Sequence, residues 1–235
     1  MYTFRSLPSP SAVNTFYNVA MGCLRFLLPL AIILPLLLLL LLFDVVTISY
    51  SELGLSASAA LVLLIVTILG SLINIPLTRR HIEYPETRPF FSHFFFYAPP
   101  RVTTQTIAVN VGGALIPVGF AIYLMPRTAW WPTLISTVVV AAVARVLARP
   151  VPGRGIVMPA FIPPIFSAGL AFLLARQHPA PVAFISGTLG TLIGADLLHW
   201  PSFKRLGSHV ISIGGSGVFD GIFISGILAV LLTAL

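Results

Sequence analysis

Residues 24–43, LRFLLPLAIILPLLLLLLLF, carry no polar side chain after Arg25. Such a run cannot coat a water-soluble globule. It matches the roughly 20 apolar residues that an α-helix needs to cross ~30 Å of hydrocarbon. The rest of the chain has the same character: of 235 residues, 57% are hydrophobic and 8% charged. A soluble domain has about 25% charged residues to cover its surface, so the solvent for most of this protein is lipid. The 24–43 run is too long for the core of a cleaved signal peptide. LFDVVTISYSE after it offers no small-residue cleavage site, so it reads as a retained anchor.

Further apolar segments at 57–77, 104–124, 130–148, 156–175, 180–199 and 217–235 predict an all-α, polytopic membrane protein of about seven transmembrane helices. Residues 1–23 read as a cytoplasmic or interfacial segment and 24–235 as a single transmembrane domain. The formal net charge of +7 is explained by topology. With the N-terminus inside, Arg5, Arg25, Arg79, Arg80, Arg88, Arg101, Arg145, Arg149, Arg154, Lys204 and Arg205 are cytoplasmic, and only Arg127 and Arg176 are outside. That asymmetry is the positive-inside signature, so the basicity does not imply a nucleic-acid partner. The expected partner is membrane lipid. The aromatic run FFSHFFFY at 90–97 reads as an anchor at headgroup depth. The single cysteine, Cys23, excludes an internal disulfide and a thiolate metal site.

Only six acids occur in the chain, and two of them, Asp196 and Asp220, lie in the last two apolar segments beside glycines. Asp196 is four residues before Trp200, about 6 Å of helix rise inside the boundary. Asp220 is three residues after Gly217, at a similar depth in the next segment. Consecutive antiparallel helices are usually neighbours, so the two carboxyls are expected to form a pair. Ionisable side chains within a membrane span are costly and face a cavity or a partner. A paired base and acid can activate a water and protonate a leaving group. Asn110 with Gly112-Gly113, Pro159, Pro163 and Pro164, and Gly194, Gly215, Gly217 and Gly221 are expected to line the surrounding cavity, because broken helices leave backbone groups to satisfy away from lipid.

The stretches AVNVGGALIPVGF, ARPVPGRGIVMPAFIPP, GTLGTLIGADLL and IGGSGVFDGIFISGILAVLL resemble an uncharacterised prokaryotic family of multipass membrane proteins, filed as a domain of unknown function, over residues 75–235. That resemblance implies a prokaryotic inner (cytoplasmic) membrane. More remotely, one aspartate in each of two membrane helices resembles the intramembrane aspartic proteases of the presenilin and signal-peptide-peptidase type, and the prepilin peptidases. Asp196 corresponds to their first aspartate and Asp220 to the second. Here Gly215-Ser216-Gly217-Val218-Phe219-Asp220 stands in place of Gly-x-Gly-Asp. The resemblance implies a membrane-embedded peptidase that uses Asp196 and Asp220 as catalytic groups on a transmembrane peptide substrate, with no cofactor. Three alternatives remain open. Broken glycine- and proline-rich helices with intramembrane acids also suit a proton- or ion-coupled transporter. Asp196, His199, His209 and Asp220 include the donor types of a metal-dependent hydrolase, although His199 beside Trp200 reads as an interfacial histidine and no metal is assigned. A non-catalytic scaffold is the last.

Overall fold

The computed structural model describes residues 31, 33–38, 40, 41, 43–84, 101–151, 155–206, 210–215, 222 and 226–233. The chain divides into two units, Met1–Asp44 and Val45–Leu235. In the first, the described residues are helical with exposed Leu34, Leu36, Leu37, Leu38, Leu40 and Leu41. The second contains every element that bears on the site.

The helices are α1 (Ile33–Glu52), α2 (Ala57–Ser71), α3 (Val111–Arg127), α4 (Trp130–Leu147), α5 (Ile162–Leu174) and α6 (Pro179–Phe203); residues 226–233, here α7, are also helical. Among them α1, α4 and α6 are long and apolar enough to cross a membrane. The chain is thus a mostly helical membrane protein. Large apolar side chains on α2, α4 and α5 remain exposed, such as Val62, Leu69, Val138 and Leu173. By contrast, α6 is the central helix, buried along most of its length.

Two buried clusters mark opposite ends of the helices. One contains Ala114, Ala144, Leu192, Ala195 and Ile222. The other contains Tyr50, Leu64, Phe120, Leu124, Phe184, Ile227 and Val230. The first end carries β-structure as well. Strands β1 (Asn74–Tyr84) and β2 (Arg101–Asn110) pair antiparallel, and β5 (Val210–Ile213) pairs in parallel with β2, giving the order β1-β2-β5. A small hairpin joins β3 (Arg149–Val151) to β4 (Gly155–Val157). An open sheet edge exposes backbone donors and acceptors that hydrocarbon cannot satisfy, so the β1 edge belongs outside the lipid core.

These strands correct the all-α expectation. The segment expected as a helix over 104–124 is strand up to Asn110 and helix from Val111. Its first half, TQTIAV, is rich in the β-branched residues that favour strands. An apolar run cannot by periodicity alone distinguish a buried strand from a helix. The segment at 57–77 ends its helix at Ser71, and the one at 156–175 begins it at Ile162. Pro163 and Pro164 open α5 instead of interrupting it. In a first turn the missing proline N–H would have had no helical partner.

Close backbone approach sets the packing. A Cβ on Gly190 would lie 2.7 Å from Val140 Cβ. One on Gly194 would collide with the Ala141 carbonyl and lie 2.7 Å from Ala144 Cβ. The order of these contacts makes α4 and α6 parallel neighbours. Small residues four apart let membrane helices gain van der Waals contact along their backbones. Gly112 plays the same part between α3 and α2, where a Cβ would strike Thr67 O.

Candidate functional site

Among the described residues two helices contain a widened, π-type turn, and both turns lie at the sheet end. In α3 it covers Val111–Leu115, closed by Ile116 N–H to Val111 O. Pro117 follows directly. Proline cannot donate to the Gly113 carbonyl as an α-helix would require, so the ladder is broken there. In α6 the turn covers Leu192–Asp196 and closes from Leu197 N–H to Leu192 O. Such turns occur mostly as single insertions and are frequent at functional sites.

Asp196 ends the second π turn, with 2% of its surface exposed. Its Oδ2 accepts a hydrogen bond from Gly214 N–H at 2.5 Å. Gly214 follows β5, with φ +68°, in a turn closed by Gly215 N–H to Ser212 O at 3.0 Å. A positive φ at the third position of such a turn favours glycine. The β2–β5 register aligns Val109 with Ile213, so Asn110 and Gly214 leave the sheet side by side. Any Cβ on Gly214 would be 2.6 Å from the Gly113 carbonyl carbon and oxygen.

Asn110 uses its whole amide. Its Oδ1 accepts from Gly113 N–H at 2.7 Å, capping α3. Its Nδ2 donates to Ser71 O at 2.7 Å and to Asn74 Oδ1 at 3.1 Å. Ser212 on β5 donates to the same Asn74 oxygen. The ends of α2, β1, β2 and β5 are thereby tied together, and the Gly113–Gly214 contact carries this network to Asp196.

Three residues on from Asp196, His199 is 2% exposed. Arg145 Nη1 lies 2.8 Å from His199 Nε2, and His199 Nδ1 lies 3.2 Å from Gly194 O. A guanidinium only donates, so Nε2 accepts and the ring proton is assigned to Nδ1, which donates to the π-turn carbonyl. Both ring nitrogens are therefore occupied. His209 and Asp220 lie outside the described residues, and among the described residues no three His, Cys, Asp or Glu side chains gather as a metal set.

The structure unites some of the residues expected from sequence and separates others. Asn110, Asp196 and Gly215 share one region. Gly194 faces the backbone of α4 and acts in helix packing. Pro159 is exposed before α5, while Pro163 and Pro164 are buried in its first turn. Gly217, Asp220 and Gly221 lie outside the described residues, as do most of the aromatic 78–102 loop and the 1–23 segment.

Gly214, Asn74, Ser212 and Arg145 were not singled out from sequence. The Gly214-Gly215 pair was a local signal for a turn, but its contact with Asp196 is long-range. Thr188 and Thr191 were also missed. Both are fully buried on α6, and neither hydroxyl has a partner among the described residues. Thr188 borders a small cavity of about 20 Å³ with Tyr50, Thr67, Pro117, Phe184 and Ile222, among others. That is room for about one water molecule.

Residues 68–232 match the family model described as a protein of unknown function, DUF1614. No curated protein and no solved structure matches the chain, presenilin-type proteases included. The family match covers well over half of the 235 residues, and the chain belongs to the DUF1614 family.

Proposed function

We propose that this protein moves protons, alone or coupled to a small solute, through a seven-crossing helical bundle in which Asp196 takes them up and releases them. Two buried hydroxyls without a partner among the described residues carry this reading: those of Thr191 and Thr188, on the same helix as the acid. The π turn adds a residue to the helix and sets Asp196 back onto the face that holds them. Beyond Thr188 lies the single-water cavity, bordered by Tyr50 and Thr67 from two other helices. Buried hydroxyls without protein partners are ordinarily satisfied by ordered water. A file of acid, hydroxyls and water can pass a proton between the two ends of α6. Intramembrane acids on broken helices are the usual means of such transfer.

The orientation belongs to this proposal. Three segments connect the two buried clusters: α3 runs from Ala114 to Leu124, α6 from Phe184 to Ala195, and the last segment from Ile222 to Val230. Arg145 is at the Asp196 end and Arg127 at the other, where it binds Leu53 O. With the basic residues inside, the N-terminus and the sheet end face the cytoplasm of a prokaryotic inner membrane.

The decisive experiment places purified protein in liposomes with an entrapped pH-sensitive dye. Under an imposed pH gradient, wild type dissipates it faster than empty liposomes. Asp196→Asn abolishes the effect and Thr188→Val slows it. Dissipation no faster than in empty liposomes, or undiminished flux in Asp196→Asn, refutes the proposal.

A second reading, a membrane-embedded aspartic peptidase using Asp196 and Asp220, is favoured by one feature. Gly214 and Ile222 flank the segment that bears Asp220. Gly214 is bonded to Asp196, and Ile222 shares a buried cluster with Leu192 and Ala195. Cleavage of a fluorogenic transmembrane peptide by wild type, lost in Asp196→Asn and in Asp220→Asn, would select this reading. Cleavage that persists in the double variant would exclude it.

A further inference from the structure

We propose that the open groove between α2 and α3 is a phospholipid site, with one acyl chain in the groove and the lipid phosphate on Arg127. The groove has a volume of about 540 Å³ and is bordered by Leu55, Val62, Leu63, Val66, Phe120 and Tyr123, among others. Its walls are almost entirely apolar, as an acyl chain requires.

Arg127 stands at one end of this groove in a fixed pose. Its Nη1 donates to Leu53 O at 2.8 Å and its Nη2 to Tyr123 Oη at 2.7 Å. The guanidinium carbon lies 4.7 Å from the centre of the Tyr123 ring. The Leu53–Leu55 turn is shaped around it: Gly54 has φ +80°, and a Cβ there would be 2.8 Å from Nη1. Both acceptors are uncharged, so these bonds orient the cation without neutralising it. A guanidinium has five donors in a planar fork that suits a phosphate.

Two further features favour an anion at this spot. The N-terminus of α2, where the helix dipole is positive, opens beside the same turn, with Ser56 as its cap. Trp130 and Trp131 are exposed and stacked at the start of α4, three residues beyond Arg127. Exposed tryptophans at a helix end mark headgroup depth. Arg127 thus meets the phosphates where the groove opens, and the groove runs from there toward the hydrocarbon. The chemistry selects an anionic phospholipid over a neutral apolar molecule.

Full-length protein in mild detergent micelles, titrated with phosphatidylglycerol and followed by native mass spectrometry, tests the site. Wild type is expected to hold one phosphatidylglycerol per chain in preference to further copies. Val62→Trp fills the groove from an exposed, lipid-facing position and should remove that bound lipid while leaving the fold intact. Arg127→Gln should weaken binding about fivefold, the effect of one basic residue on an anionic headgroup. Inorganic phosphate should not displace the lipid. The proposal fails if Val62→Trp retains the lipid at wild-type affinity, or if phosphate alone competes it away. It also fails if cysteines at Val62 of two copies crosslink readily in membranes, because the groove is then filled by a second chain. Should Arg127→Gln fail to fold, the Val62→Trp result decides.

Discussion

Replacing Gly214 by alanine tests the link between the sheet and Asp196. At φ +68°, an L side chain costs about 1–2 kcal/mol. The new Cβ would lie 2.6 Å from the Gly113 carbonyl and 2.9 Å from the Ala114 Cβ on α3. Forcing an extra carbon into a close-packed contact adds about 1–3 kcal/mol. Displacing Gly214 also weakens its 2.5 Å bond to Asp196, a further net loss of ~0.5–1.5 kcal/mol. Together these give a destabilisation of about 3–6 kcal/mol. For a chain of this size that lowers the thermal midpoint by on the order of 10 °C.

Gly119→Ala is the matched control. It lies in α3, and its added Cβ would meet nothing within 4 Å. There the substitution should stabilise by about 0.5–1 kcal/mol through helix propensity. Gly214→Asn separates the two main terms: asparagine tolerates a left-handed backbone but collides with Gly113 as alanine does. It should therefore recover only part of the loss. The assay is thermal unfolding of full-length protein in one detergent at one scan rate, since unfolding in micelles is commonly irreversible. Equal midpoints for Gly214→Ala and Gly119→Ala would refute the reasoning, and full recovery by asparagine would refute the collision term.

Asn110→Ala removes a cap and two side-chain donors and should cost about 2–3 kcal/mol in the same thermal assay. Asn110→Asp keeps the capping oxygen but turns an acceptor toward Ser71 O and Asn74 Oδ1, and should be at least as damaging. His199→Phe removes the ring donor from the Gly194 carbonyl, while exposed Arg145 turns to solvent, and should cost about 1 kcal/mol; nitrogen NMR of wild type should show the ring proton on Nδ1. Thr188→Val takes from the cavity water its bond to the hydroxyl and should cost about 0.5–1.5 kcal/mol in the same assay; an unchanged or raised stability would show that no water is bonded there. With Cys23 replaced, a cysteine at Ser202 should label from the cytoplasmic side of intact cells, and periplasmic labelling would reverse the orientation.

Membrane residence was legible in the chain because it depends on composition and run length, which need no partner. The 24–43 run and the scarcity of charge sufficed. Trp130–Leu147 falls within one residue of its expected bounds, since a long apolar stretch between turn signals admits few alternatives. Asp196 stood out because a carboxyl in an apolar segment is costly wherever the helix faces. The glycines of α6 were visible too, although their role as contacts with α4 required the neighbouring backbone.

Tertiary structure decided what depends on distant partners. Residues 101–110 are a strand because β1 lies on one side and β5, about a hundred residues later, on the other. No local window contains that pairing. Gly214 reaches Asp196 through the same parallel register, so its importance could not be read from its own surroundings. The π turns likewise arise where Pro117 breaks one ladder and where His199 satisfies a carbonyl of the other. An acid in a greasy helix announces itself in sequence, but the donor that holds it is chosen by the packing of the whole bundle.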